Sequence, residues 1–297
     1  MTDPTPHRRR SLPARSSLPA RTSLPARAAA AAALLCLAPL AGCSAVFAGT
    51  SSLTGKDSLV VGVKADQPGL GLEAAEGRFE GFDVDVALYI AGHLGIAEED
   101  VEFTGVTSAQ REDVITAGDV DMVVATYSIT EQRKSVVNFA GPYYVAHQDI
   151  LVGADEEDVE DVRDLEGMTL CQGEGSNSAN RIIEEKGIAA ELEEEPAYGD
   201  CVTRLADGSV DAVSTDDLIL AGFLASDPSA FRLVNAPFTN EKYGIGIAKE
   251  DVGGCEEVNR AVTKMYQDGT AEKLLDEWFG ETGLDLVTSV PQFEGCG

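Results

Sequence analysis

The sequence predicts an α/β fold with largely parallel sheets, organised as two lobes of similar topology. Three observations carry this. Short β-branched runs alternate with helical patterns over about 240 residues from residue 57 onward. The stretch Asp83–Leu94 places Ala87, Ile90, Ala91 and Leu94 on one face at i, i+3, i+4, i+7 spacing, the mark of an amphipathic helix. Finally, "TAGDVDMVVAT" (116–126) and "ADGSVDAVSTD" (206–216) repeat one phrase ahead of a buried run, a weak internal repeat.

The first fifty residues do not read as folded protein. Residues 1–27 hold Arg8, Arg9, Arg10, Arg15, Arg21 and Arg27 within a repeated Ser-Leu-Pro-Ala-Arg unit, and an apolar run follows from Ala28 to Cys43. A basic segment leading into a short apolar core is an export signal, assigned to 1–42 with an extended basic leader. Translation starting further downstream is the alternative to that leader. Pro39 interrupts the run, which falls short of the roughly 20 apolar residues of a membrane span. Its end, Leu40-Ala41-Gly42-Cys43, resembles a bacterial lipobox, which implies that Cys43 is acylated and heads the mature chain. An ordinary secretory cleavage site is the competing reading. Residues 43–56 are small and polar, a flexible tether.

Beyond it, strands are predicted at 58–63, 101–106, 121–127, 149–154, 168–173, 211–216 and 244–248. Helices are predicted at Asp83–Leu94, Ser176–Lys186, Asp200–Ala206, Leu218–Leu224 and Cys255–Trp278. In the repeated phrase Gly118 and Gly208 end helices, while Asp121 and Asp211 open strands. Lobe 1 is expected to combine 57–151 with 243–297 and lobe 2 to span 152–242, hinged near 150–153 and 238–243. Glu191–Glu195 reads as a solvated run, and Tyr143, Tyr144 and Tyr198 as core or hinge.

The chain carries 51 acidic and 22 basic residues; removing 1–42 takes six arginines and Asp3, moving the net charge from −29 to −34. Such a charge argues against nucleic-acid binding, which needs basic patches. It keeps a tethered protein soluble and away from anionic lipid. Cys171, Cys201, Cys255 and Cys296 remain in an oxidising compartment and allow three pairings. Cys171–Cys201 and Cys255–Cys296 are expected, since each pair falls within one proposed lobe. The histidines (His7, His93, His147) are scattered, and no metal motif, nucleophile elbow or nucleotide motif occurs, so neither catalysis nor a cofactor is expected.

One stretch stands out against the acidic background. In "YSITEQRK" (127–134), Thr130 is a good N-cap and Glu131-Gln132-Arg133 forms the first turn. Free backbone N–H groups, the Ser128 hydroxyl and the planar fork of Arg133 make an anion seat without a metal. Pairing of Arg133 with one of many nearby acids is the competing reading.

A second phrase weighs in favour of the seat. "GFDVDVALYIAGHL" (81–94) matches the signature of bacterial extracellular solute-binding proteins of family 3, the polar amino-acid receptors of ABC importers. Its acids are expected to cap the helix rather than touch ligand. "SITEQRKSVVNFAGPYY" (128–144), "GEGSNSA" (173–179), "STDDLILAG" (214–222) and "DGTAEKLLDEWFG" (268–280) extend the resemblance over most of the mature chain. The resemblance implies a two-lobed periplasmic-binding-protein type II fold with the ligand cleft between lobes. It implies that Ser128 and Arg133 hold an α-carboxylate and that Thr126 offers backbone to the ammonium. Gly175 and Ser176 close over the carboxylate with N–H and hydroxyl groups, and Asp216, or its neighbour Asp217, faces the ammonium. Many relatives carry an acid just after the first strand, where "VGVKADQPGLG" (61–71) has Lys64. That phrase, with cysteines at 171 and 201, is similar to the glutamate-binding lipoproteins of high-GC Gram-positive bacteria. Lys64, with Gln67 beside it, is therefore expected at a γ-carboxylate, and Arg181 and Arg78 are rivals for that role.

The resemblance thus implies a monomeric lipoprotein on the outer face of the cytoplasmic membrane. It would close on an amino acid, glutamate first and aspartate, glutamine or asparagine next, and deliver it to ABC permease subunits. A dehydratase-like enzyme on the same fold and a surface lipoprotein for adhesion or sensing are the rivals.

Overall fold

The structure, a computed structural model, describes residues 52–297; the expected export signal, the expected lipidation site Cys43 and most of the expected tether lie outside the described residues. In chain order the first lobe opens with β1 (Leu59–Val63), then a small antiparallel sheet of β2 (Asp66–Gln67), β3 (Gly71–Ala75) and β4 (Arg78–Glu80). Helix α1 (Phe82–Leu94), β5 (Val101–Gly105), α2 (Arg111–Ala117), β6 (Met122–Val123), the single turn α3 (Glu131–Lys134) and β7 (Asn138–Ala146) follow. The second lobe holds β8 (Gln148–Gly153), β9 (Thr169–Gly173), α4 (Ser178–Asn180), β10 (Glu191–Glu195), α5 (Tyr198–Ala206), β11 (Ala212–Asp216), α6 (Asp217–Ser226) and β12 (Phe231–Leu233). The chain then returns through β13 (Glu241–Ile247) and ends in α7 (Val252–Gln267), α8 (Thr270–Phe279) and an extended tail.

Both main sheets have five strands, ordered β5-β1-β6-β13-β7 and β10-β9-β11-β8-β12. The first three in each run parallel, the fourth is antiparallel to the third, and the fifth is antiparallel to the fourth. The repeated Val-Asp phrase leads into β6 and β11, the central strand of each sheet. Central strands are buried on both faces, which is why their apolar runs are the most legible in the sequence. Gly118 indeed ends α2 in the left-handed conformation, and Gly208 follows the end of α5 with φ of 75°.

Several elements differ from expectation, each for a local reason. β7 was not expected because Pro142 interrupts it; the strand lies at a sheet edge, where a missing N–H costs no ladder bond. Glu191–Glu195 is the edge strand β10, whose charges discourage pairing with another chain. Arg204 pairs with Glu193 and Glu195 there. The expected helix Cys255–Trp278 breaks into α7 and α8 at Asp268-Gly269, with Gly269 at φ 81°. The expected helix Ser176–Lys186 is a short α-turn that widens into a π-turn over Arg181–Glu185.

The tether ends earlier than residue 56. Leu53 is buried, and Asp251, which caps α7 through Gly254 N–H, also accepts from Leu53 N–H at 2.7 Å and from the Ser52 hydroxyl. The sheet crossing also shifts: β8 pairs only with β11 and β12, so the chain changes sheets at His147 rather than near 150–153. Disulfides join Cys171 on β9 to Cys201 on α5, and Cys255 on α7 to Cys296 in the tail. Loops of this length are each worth about 3–4 kcal/mol in the chain-entropy model.

Candidate functional site

The lobes meet over the carboxyl ends of their central strands. From the first lobe Gln67, Ser108, Arg111, Thr126 and Ser128 line an enclosed cavity; from the second come Ser176, Asn177, Ser178, Tyr198, Thr215, Asp216 and Ile219. Its volume is about 10 Å³, room for a single water. Beside it an open groove of about 620 Å³ is bordered by Arg133 and Gly175, and Ser108, Ser176 and Asn177 border both spaces. Five of the eight expected contacts therefore share one cavity: Gln67, Thr126, Ser128, Ser176 and Asp216. Arg133 and Gly175 stand at the adjoining groove, and Lys64 sits one side chain back.

The first-lobe wall is cationic. Lys64, 3% exposed, donates to the Ser108 hydroxyl at 2.7 Å, and so reaches the cavity through that serine. Burial first, then the Arg111 charge, holds the Lys64 ammonium well below the ordinary lysine range. Arg111, 2% exposed, donates to the carbonyls of Ser108, Ala125 and Thr126 and lies over the Tyr127 ring. Burial, with Arg133 next, brings its pKa down to about 10. The partners of Lys64 and Arg111 are thus neutral hydroxyl and carbonyl oxygens. Arg133 donates to Ser128 O at 2.8 Å and, across the cleft, to Gly175 O at 2.9 Å, with Glu112 at 3.4 Å.

Local structure fixes this wall. Thr130 caps α3 as the sequence indicates, accepting from Arg133 N–H at 3.2 Å. With a single turn, however, α3 carries little dipole, so the guanidinium itself supplies most of the field. Thr126 sits at φ 45°, strained for a β-branched residue, and is held there by Asp83, which accepts from Thr126 N–H at 2.9 Å and Tyr143 Oη at 2.6 Å. Asp83 therefore braces the site rather than capping α1, whose cap position is Gly81. Burial pushes its pKa up to about 6 against those two bonds.

The second-lobe wall supplies an acid and hydroxyls. Asp216 ends β11, and burial together with the Glu241 carboxylate raises it well above the ordinary carboxylate range. Asp217 is not among the residues that line the cavity; its carboxylate accepts from the His147 and Leu218 N–H groups at the sheet crossing. Ser176 keeps its hydroxyl near Tyr198 Oη at 2.8 Å, but its N–H is engaged by Gly173 O. Tyr198, expected as core or hinge, lines the cavity. Arg181 is committed to Glu241 and Glu185, and Arg78 is exposed on β4.

Sequence reasoning missed Arg111 and Ser108. A signal was present: Arg111 lies one turn before Ile115, on the buried face of α2. An arginine on an apolar face needs a reason to be there.

Residues 59–281 match the family described as bacterial extracellular solute-binding proteins, family 3. The glutamate-binding protein GluB of Corynebacterium glutamicum is 40% identical over 246 residues, covering 79% of this chain and 82% of that one. The ABC transporter glutamine-binding protein GlnH of Bacillus subtilis is 36% identical over 234 residues, covering 78% and 84%. Among solved structures, an ancestral arginine-binding protein bound to arginine superposes with a TM-score of 0.70 at 31% identity, covering 76% of this chain and 99% of that one. No helix among the described residues is long and apolar enough to cross a membrane.

Proposed function

The chain belongs to the bacterial extracellular solute-binding proteins of family 3, and on that footing we propose that it is the glutamate receptor of an ABC importer. In this reading Cys43 carries the lipid that holds it at the outer face of the cytoplasmic membrane. The observation that carries the ligand class is the cation cluster. The Arg111 and Arg133 charges both lower the Lys64 pKa and Arg133 lowers that of Arg111, in a chain with 51 acids. Lys64 and Arg111 hydrogen-bond only to neutral oxygens, with Asp66 and Asp83 the nearby acids that partly offset the charge on Lys64. Mutually repelling buried cations are unfavourable unless an anion joins them. A dicarboxylate neutralises more of this wall than a monocarboxylate does.

The assignment follows from where each group lies. Arg133 and Ser128, with the Gly175 loop closing over them, take the α-carboxylate. Ser108 and Arg111 take the γ-carboxylate, with Lys64 behind Ser108 and Gln67 alongside. Asp216 and the Thr126 carbonyl face the ammonium. The ligand so bridges both lobes and favours their closure, with flexing at His147 and in the segment before β13. A cavity of about 10 Å³ admits an amino acid only when its walls part, which supports a hinged entry. Closure then excludes water and strengthens each charged hydrogen bond. The closed form docks on a permease, where ATP is hydrolysed by other subunits.

A thermal-shift screen of the twenty amino acids on residues 44–297, followed by calorimetry, tests this. Glutamate is expected to raise Tm most; a screen in which no amino acid moves Tm removes the receptor reading. Lys64→Ala is expected to weaken glutamate more than glutamine, and Arg111→Ala more strongly in the same sense. Equal losses for both ligands would place the γ-carboxylate elsewhere.

A further inference from the structure

The segment Lys64–Pro68 faces two ways. Lys64 and Gln67 are buried on the ligand side, where Gln67 Oε1 accepts from the Thr126 hydroxyl at 3.0 Å. Asp66 and Pro68 instead meet the second lobe. The Asp66 carboxylate accepts from Gly199 N–H at 3.0 Å, and a Cβ on Gly222 of α6 would sit 2.0 Å from the Pro68 carbonyl oxygen.

Gly199 is the second residue of α5, a nine-residue helix whose N-cap position is Ala197. Alanine has no side-chain acceptor, and α5 has no cap bond from its own N-cap residue. The N–H that an N-cap side chain ordinarily satisfies is that of the second or third helical residue. Here the acceptor comes from the other lobe.

We propose that Asp66 is a closure latch, supplying from the first lobe the N-cap that α5 of the second lobe lacks. When the lobes part, the first turn of α5 exchanges this carboxylate for water. When they close, the helix is capped, and with it the wall it carries: Tyr198 Oη bonds the Ser176 hydroxyl, and Cys201 ties α5 to β9. Because Lys64 and Gln67 share the segment with Asp66, seating a ligand against the first pair also positions the latch. Asp66 touches no ligand in this scheme; it is a positioning residue. The proposal rests on the receptor reading for its physiological meaning, though not for its test.

Stopped-flow dissociation of glutamate and amide exchange at Gly199 are measured on the full chain. Asp66→Ala is expected to speed dissociation about twofold to thirtyfold, the range of a lost cap, and to expose the Gly199 amide. Asp66→Asn is expected to stay near wild type, since asparagine caps as well as aspartate. Ala197→Asp added to Asp66→Ala is expected to restore protection of α5 without restoring slow dissociation. Unchanged dissociation in Asp66→Ala overturns the latch. So does Asp66→Asn behaving like Asp66→Ala, which would make the effect one of charge on Lys64. Full rescue by Ala197→Asp also overturns it, because Asp66 would then only stabilise a helix. If the wild-type chain binds no amino acid, the receptor reading fails and the latch is decided by exchange and small-angle scattering. Faster Gly199 exchange with a larger radius of gyration in Asp66→Ala supports the latch, and no change in either overturns it.

Discussion

In the first sheet the Asp121 carboxylate accepts from Val60 N–H at 2.8 Å, at the start of the neighbouring strand; in the second the Asp211 carboxylate accepts from Thr169 N–H at the same distance. The backbone bonds return in the same way, Asp121 N–H to Val60 O and Asp211 N–H to Thr169 O. Five residues further on, counted from either aspartate, the two central strands deliver Thr126 and Asp216 to the cleft. The scaffold is thus repeated, yet the chemistry at its strand ends is not. The first lobe presents Lys64, Arg111 and Arg133, the second an acid with hydroxyl groups. A duplicated fold can place unlike charges face to face simply because its two copies diverge at strand ends, where side chains face the cleft rather than the core.

The largest effect should come from breaking the charge contrast. Arg133→Ala is expected to cost about 2–3 kcal/mol of glutamate binding by calorimetry, the scale of a lost charge-assisted bond. Unchanged affinity would take Arg133 out of the contrast. Next, Gly222→Ala should prop the lobes apart: its Cβ meets the Pro68 carbonyl oxygen at 2.0 Å, and overpacking of this kind costs about 1–3 kcal/mol. In the receptor reading the lobes part without ligand and relieve this clash, so the loss should appear in affinity while the Tm of the unliganded protein stays near wild type; a lowered Tm would place the contact in the unliganded form as well.

The scaffold half of the comparison is tested by removing the paired braces. Asp121→Ala should lower stability in urea by about 1–2 kcal/mol, since that side chain also pairs with Lys56. Asp211→Ala, at a more exposed position, should cost less, about 0.5–1 kcal/mol. Similar losses would mean that exposure does not separate the two braces. The smallest effect concerns protons. Asp216 is raised by burial and by Glu241, with Asp217 adding to this and Arg111 opposing it. An ammonium seated beside it lowers its pKa, so the bound form holds fewer protons than the free form and affinity should rise with pH across that interval. Calorimetry in buffers of different ionisation enthalpy should register more proton release on binding in the wild type than in Asp216→Asn, which removes this group while leaving Lys64 in place; equal release in both would argue that Asp216 does not face the ammonium.

Much of this was legible beforehand, for definite reasons. The Val-Asp phrases stood out because central strands demand long apolar runs, and α1 because one face of it is buried. β7 escaped because a proline is tolerated at a sheet edge, and the α7–α8 break because periodicity continues across Asp268-Gly269 even where the backbone turns.

Composition and spacing alone determined the α/β class, the internal repeat and the cap at Thr130. These depend on residues near one another in the chain or on a period that repeats along it. Tertiary structure decided that Arg111 lines the cavity between the lobes, that Lys64 meets it through the Ser108 hydroxyl, and that the Asp217 carboxylate accepts at the crossing while Asp216 lines the cavity. It also decided that the cap of one helix is carried by the opposite lobe. Those are contacts between segments far apart in the sequence, and no local pattern records which side chains a fold brings face to face.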